Sequence, residues 1–179
     1  ADRSDYILHP ASGEVLDDTS LAALRGLRER HGERYDLQIL VSDGLNAYAI
    51  SDPGHLLPYL EALREGLSKK GYQVAPELLL LRGGRVRAGY RVGELLFAGL
   101  PTASAHRGII HVIGERPGSM HHTFSVYMTA PSVTLWSEPG KIDHNITKVV
   151  SGVADTALVP ALAAQDSIKL LEQLIAKNP

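Results

Sequence analysis

The chain has 179 residues, no cysteine, 44% hydrophobic and 21% charged residues, and a formal charge of −2 at pH 7 from 18 basic and 20 acidic side chains. That length suits one domain with a sizeable core. The missing cysteines exclude a disulfide scaffold, a thiolate metal site and a cysteine nucleophile, and the near-zero charge gives no electrostatic footprint for nucleic acid or an anionic membrane.

No apolar run approaches the roughly 20 residues that span a bilayer. The opening ADRSDYILHP lacks both the basic-then-apolar plan of a signal peptide and an initiator Met. A cytosolic domain, as a trimmed chain or a fragment, is the expectation. Asp17-Asp18-Thr19-Ser20 supplies N-cap chemistry, Leu21, Leu24 and Leu27 recur at one-turn spacing, and His31-Gly32 closes that first helix. Leu37 to Val41 reads as a short strand ending at Ser42-Asp43-Gly44. A second helix is predicted from His55 to Lys70, with Leu56, Leu60, Leu63 and Leu67 on one face and Pro58 tolerated in its first turn. Glu77 to Leu81 reads as a buried strand, and Tyr90 to Leu100 as a third helix. Gly108 to Ile113 is strongly β-prone, and Phe124 to Thr129 alternates like a half-exposed strand. Pro131 to Ala154 is ambiguous between short strands and loop. The last helix is predicted to start near Asp155, with Pro160 in its first turns.

Alternating strands and helices predict βαβ crossovers and a mostly parallel sheet. The expected fold is α/β, a single three-layer α/β/α domain over residues 1–179. Ligands of such folds sit beyond the carboxyl ends of the strands. Three of those ends carry polar, glycine-containing turns: Ser42–Asn46, Arg82–Arg87 and Gly114–Gly118. The first suits either a helix-opening Asx turn or a cofactor edge. No GxGxxG, GxxxxGK[ST] or GxSxG motif is present, so neither a phosphate-cradling loop nor a nucleophile elbow is supported. Glu115 and Arg116 form either a solvated ion pair or a binding pair boxed by Gly114, Pro117 and Gly118, where the backbone can approach a ligand.

His111, His121, His122 and His144 fall within 34 residues but match no zinc template. His111 alternates within a strand and suits a core position. Tyr59, Phe124, Tyr127 and Trp136 form no stacking platform, and core packing is the expectation for them.

Three runs then carry a resemblance: SDGLNAYAI (Ser42–Ile50), LRGGRVRAGYRVGELL (Leu81–Leu96) and GIIHVIGERPG (Gly108–Gly118), with a weaker echo at DHNI (Asp143–Ile146). Together they resemble the C-terminal part of the small subunit of ethanolamine ammonia-lyase, over roughly residues 37–179, with 1–36 as an N-terminal extension and helix. The helical N-terminal region typical of that family is largely absent. The resemblance implies a Rossmann-like domain that covers part of an adenosylcobalamin at its interface with a large, barrel-shaped catalytic subunit. Val86 in GGRV would lie against the corrinoid, and Glu115 in GERP would contact it. Ile142 stands where the family places a contacting cysteine. The reaction implied converts ethanolamine or a related vicinal amino alcohol to an aldehyde and ammonia, with no catalytic residue or metal ligand on this chain and no activity alone. A hetero-oligomer is implied, without nucleic acid or membrane, in the cytoplasm or inside a bacterial microcompartment. Two alternatives stand beside it: a related assembly module that has lost its cofactor contacts, and an unrelated hydrolase-like or metal enzyme using His121, His122 and Asp143.

Overall fold

The computed structural model describes residues 15–31, 33–101, 106–115 and 122–177. Its elements run α1 (Asp18–His31), β1 (Leu37–Ser42), α2 (Tyr48–Ser51), α3 (Leu56–Lys69), β2 (Val74–Leu81), α4 (Val86–Phe97), β3 (Gly108–Gly114), β4 (Phe124–Thr129), α5 (Val133–Trp136), a 3-10 turn (His144–Ile146), β5 (Thr147–Val153) and α6 (Pro160–Lys177).

The five strands form one sheet in the order β2-β1-β3-β4-β5. β1 pairs in parallel with β2 and β3, whereas β3–β4 and β4–β5 are antiparallel. The sheet is therefore mixed, which corrects the expectation of a mostly parallel one. The physical reason lies in the connections. The two parallel crossovers carry α3 and α4, but Gly114 and Phe124 are separated by too few residues for the dozen or more that a crossover needs. After β4, the four-residue α5 and the 3-10 turn bring the chain back beside the strand it just left, so that Thr129 pairs with Thr147.

Strand alternation sorts the core onto two sheet faces. The first face gathers Leu37, Ile39 and Val41 with Ile110, Val112, Phe124, Val126 and Met128, under Leu60, Leu63 and Leu67 of α3 and Ala163, Ile168 and Leu171 of α6. The second face gathers Leu40 and Ile109 with Leu24 and Leu27 of α1 and Tyr90, Val92 and Leu96 of α4. The Trp136 indole is 1% exposed and donates to the Arg107 carbonyl at 2.8 Å.

Two predicted helix starts move. α4 begins at Val86 rather than Tyr90, because Gly83 turns with a φ of 65° and Arg85 is already extended. Neither arginine around Val86 is a capping residue, so the sequence carries no start signal there. α6 begins at Pro160 rather than near Asp155. Its expected first turn is instead a reversal in which the Leu158 N–H donates to the Gly152 carbonyl at 3.1 Å. Proline at the first helical position lacks only a donor that would be unsatisfied anyway.

Candidate functional site

The three strand-end turns hold one another. The Asp43 carboxylate accepts from the Gly83 N–H at 2.7 Å, and the Arg85 guanidinium donates to the Gly44 carbonyl. The Leu45 N–H donates to the Gly114 carbonyl at 2.8 Å. Asp43 therefore ties β1 to the loop that opens α4. Gly44 adopts a φ of 58° directly against Gly114, a conformation most side chains avoid.

Beneath α4, Ser42 Oγ lies 2.6 Å from His111 Nε2. Both are sealed, at 0% and 2% exposure, so this pair is no nucleophile and its base. His111 Nδ1 has no hydrogen-bond partner among the described residues, and a Cβ on Gly89 would sit 2.6 Å from it. Glycine at 89 thus lets α4 settle onto the imidazole. Burial pushes the His111 pKa from its ordinary 6.5 down to about 3. Between those values the unfolded chain binds a proton that the folded chain refuses. Unfolding free energy therefore falls on acidification below about pH 6.5, by about 1.4 kcal/mol per pH unit from this residue. Urea denaturation at several pH values is expected to show a shallower acid slope for His111→Gln than for the parent. Equal slopes would contradict the burial argument.

Val86 is the first residue of α4 and packs partly against the second-face cluster. Glu115 follows β3, is partly buried, and accepts from the Tyr127 hydroxyl at 3.3 Å. Ile142 is 6% exposed within the second-face cluster and precedes β5. Val86 and Glu115 thus follow the carboxyl ends of β2 and β3, whereas Ile142 belongs to the opposite end of the sheet, on the same face as α4. Arg116 and His121 lie outside the described residues.

Sequence reasoning placed Tyr127 in the core. It instead pairs across the sheet with His111 on one side and Val149 on the other, all three on the second face. There Tyr127 is partly buried and Val149 is 46% exposed. The signal was the alternation in FSVYMT, whose Ser125, Tyr127 and Thr129 make one polar row.

Among the described residues the histidines do not converge. His122 Nδ1 lies 2.8 Å from Asp52 Oδ2 under a stacked Tyr48 ring, and Asp143 caps the 3-10 turn through the Asn145 N–H at 2.8 Å. Among the described residues, no three His, Cys, Asp or Glu side chains are grouped to hold a metal ion. No helix among them is long and apolar enough to cross a membrane.

These features define an α/β domain whose polar surface is spread along one sheet face rather than gathered into a pocket of reacting groups. Comparison with known proteins gives that surface a context. The family model for the ethanolamine ammonia-lyase light chain (EutC) matches residues 1–178. Small subunits of ethanolamine ammonia-lyase from Pseudomonas syringae pv. tomato and Pseudomonas paraeruginosa are 36% and 38% identical over 137 residues, covering 75% of this chain and 44% and 46% of theirs. That of Azotobacter vinelandii is 34% identical over 174 residues, covering 96% of this chain and 58% of its own. The chain belongs to the ethanolamine ammonia-lyase light-chain family, and it spans about half the length of these relatives.

Proposed function

We propose that the chain is the cofactor-contacting part of a small subunit of ethanolamine ammonia-lyase, a Rossmann-like domain that shares an adenosylcobalamin with a large catalytic subunit. The observation that carries the reading is Glu115. Its carboxylate belongs to the segment that resembles the family's GERP motif and stands beside a strand end, steadied by the Tyr127 hydroxyl and not consumed in an ion pair among the described residues.

The surroundings fit a corrinoid, whose rim carries amide arms around an apolar body. Glu115 offers an acceptor, the opening turn of α4 at Val86 offers backbone N–H donors, and Val86 and Val149 offer apolar surface. The Ile142 side chain is committed to the core, so a contact at that position goes through the main chain of the turn. When bound, the cofactor supplies a carbon radical by homolysis of its cobalt–carbon bond. This chain binds and orients the corrinoid and keeps water from one side of it. The substrate, ethanolamine or a related vicinal amino alcohol, is handled on the large subunit, in the cytoplasm or a bacterial microcompartment.

The burial of Ile142 favours a second reading, an assembly module that binds the large subunit but adds little to cofactor affinity. Size-exclusion chromatography of this chain with the large subunit separates the two from a chance resemblance. Co-elution is expected, and failure to form any complex with an intact large subunit would overturn both.

A further inference from the structure

Between α4 and the turn that carries Ile142 runs a chain of side-chain hydrogen bonds with no role in the reading above. Thr129 Oγ1 and Thr147 Oγ1 lie 2.9 Å apart across β4 and β5. Thr147 Oγ1 donates to the Tyr90 hydroxyl at 3.1 Å, and Tyr90 Oη lies 3.2 Å from His144 Nδ1. Thr147 Oγ1 also reaches the Asp143 carbonyl at 3.1 Å, so its one proton is shared between that oxygen and Tyr90, while Tyr90 donates to an imidazole with its lone pair at Nδ1. The Tyr90 ring also meets the His144 ring edge-on at 5.8 Å.

The position of this relay gives it meaning. Tyr90 lies one helical turn after Val86, on the same face of α4, and His144 lies two residues after Ile142. The turn is short and lies at the surface: its helical part is three residues long, capped by Asp143 through the Asn145 N–H, and His144 and Asn145 are exposed. Tyr90, by contrast, is 5% exposed and anchored in the second-face cluster. The Tyr90 hydroxyl therefore ties the exposed end of the turn to α4.

We propose that Tyr90 and His144 are positioning residues that lock the Ile142 turn to α4, so that the contacts at Val86 and Ile142 are presented to the cofactor as one preformed surface. This rests on the cofactor reading above. Preorganisation of this kind raises affinity by lowering the ordering cost of binding.

The test uses the 179-residue chain in complex with the large subunit, with adenosylcobalamin retention measured by equilibrium dialysis and its visible spectrum recorded. Tyr90→Phe keeps the ring and removes only the hydroxyl. Retention is expected to weaken roughly threefold to tenfold, the size of one net hydrogen bond, with a shifted spectrum of the bound cofactor. His144→Ala is expected to do the same, whereas His144→Asn, which returns an acceptor near the Nδ1 position, is expected to restore retention. Hydrogen exchange at the Asn145 amide, without cofactor, is expected to quicken in Tyr90→Phe. Thr147→Val probes the relay from its other end should the ring variant unfold. A parent complex that retains cofactor while Tyr90→Phe and Thr147→Val retain it equally well would overturn the positioning role alone. So would a His144→Asn variant no better than His144→Ala. A parent complex that retains no cofactor would overturn the reading beneath it as well.

Discussion

Gly114→Ala is expected to destabilise the chain by at least about 3 kcal/mol, and an unfolded product at 37 °C would be consistent with it. A Cβ at this position would stand 2.6 Å from the Asp43 carbonyl oxygen and closer still to that of Asn46. Both obstacles are backbone, so no side chain can swing aside. The displaced loop is the hub that joins β1, the opening of α4 and the end of β3, so its movement would carry Glu115 with it. Gly44→Ala meets the same contact from the other side, against the Gly114 carbonyl and 2.7 Å from Ile113 Cγ2. The two substitutions are expected to be less than additive, because opening the loop once relieves both. Gly71→Ala is the control, since its φ of 85° leaves a Cβ with nothing within 4 Å. It is expected to cost only the left-handed backbone penalty of about 1 kcal/mol. Urea denaturation midpoints read all three, and a Gly114→Ala cost no greater than that of Gly71→Ala would contradict the close approach.

Glu115→Ala is expected to have the largest effect on binding. Hydrogen bonds to a charged acceptor contribute about 1.5–3 kcal/mol each, so losing one from a corrin amide weakens cofactor retention by the two-subunit complex about tenfold to a hundredfold. The fold is expected to lose little, because among the described residues the carboxylate receives only the Tyr127 hydroxyl at 3.3 Å. Glu115→Gln keeps an acceptor and is expected to fall between. Tyr127→Phe is expected to cost less than Glu115→Ala and to add nothing on top of it. Retention by Glu115→Ala equal to the parent would remove the residue on which the proposed role chiefly stands.

What the sequence made legible follows from which signals are local. The leucine spacing of α3 and the apolar runs of β1 and β3 are periodic and self-announcing, and these elements stand within a residue or so of expectation. The direction of β4 and β5 is not local. It depends on where a short connection can return the chain, and the FSVYMT alternation serves either pairing equally well. The site divides in the same way. Val86 and Glu115 were singled out through the family resemblance of their segments, and they follow the ends of β2 and β3. The partners that hold them were not: Tyr127 meets Glu115 from a neighbouring strand, Asp43 reaches Gly83 across 40 residues, and Tyr90 finds His144 across 54. Each is a contact created by the sheet order, and no spacing in the chain encodes it.

If this chain completes a cofactor site that it does not contain alone, corrinoid binding by the large subunit depends on its presence. Adenosylcobalamin retention by the large subunit, measured by equilibrium dialysis with and without this chain, tests that most directly. Tight retention of corrinoid colour only when both chains are present is the expected result. Equal retention by the large subunit alone would contradict the shared site and leave the chain as an assembly module.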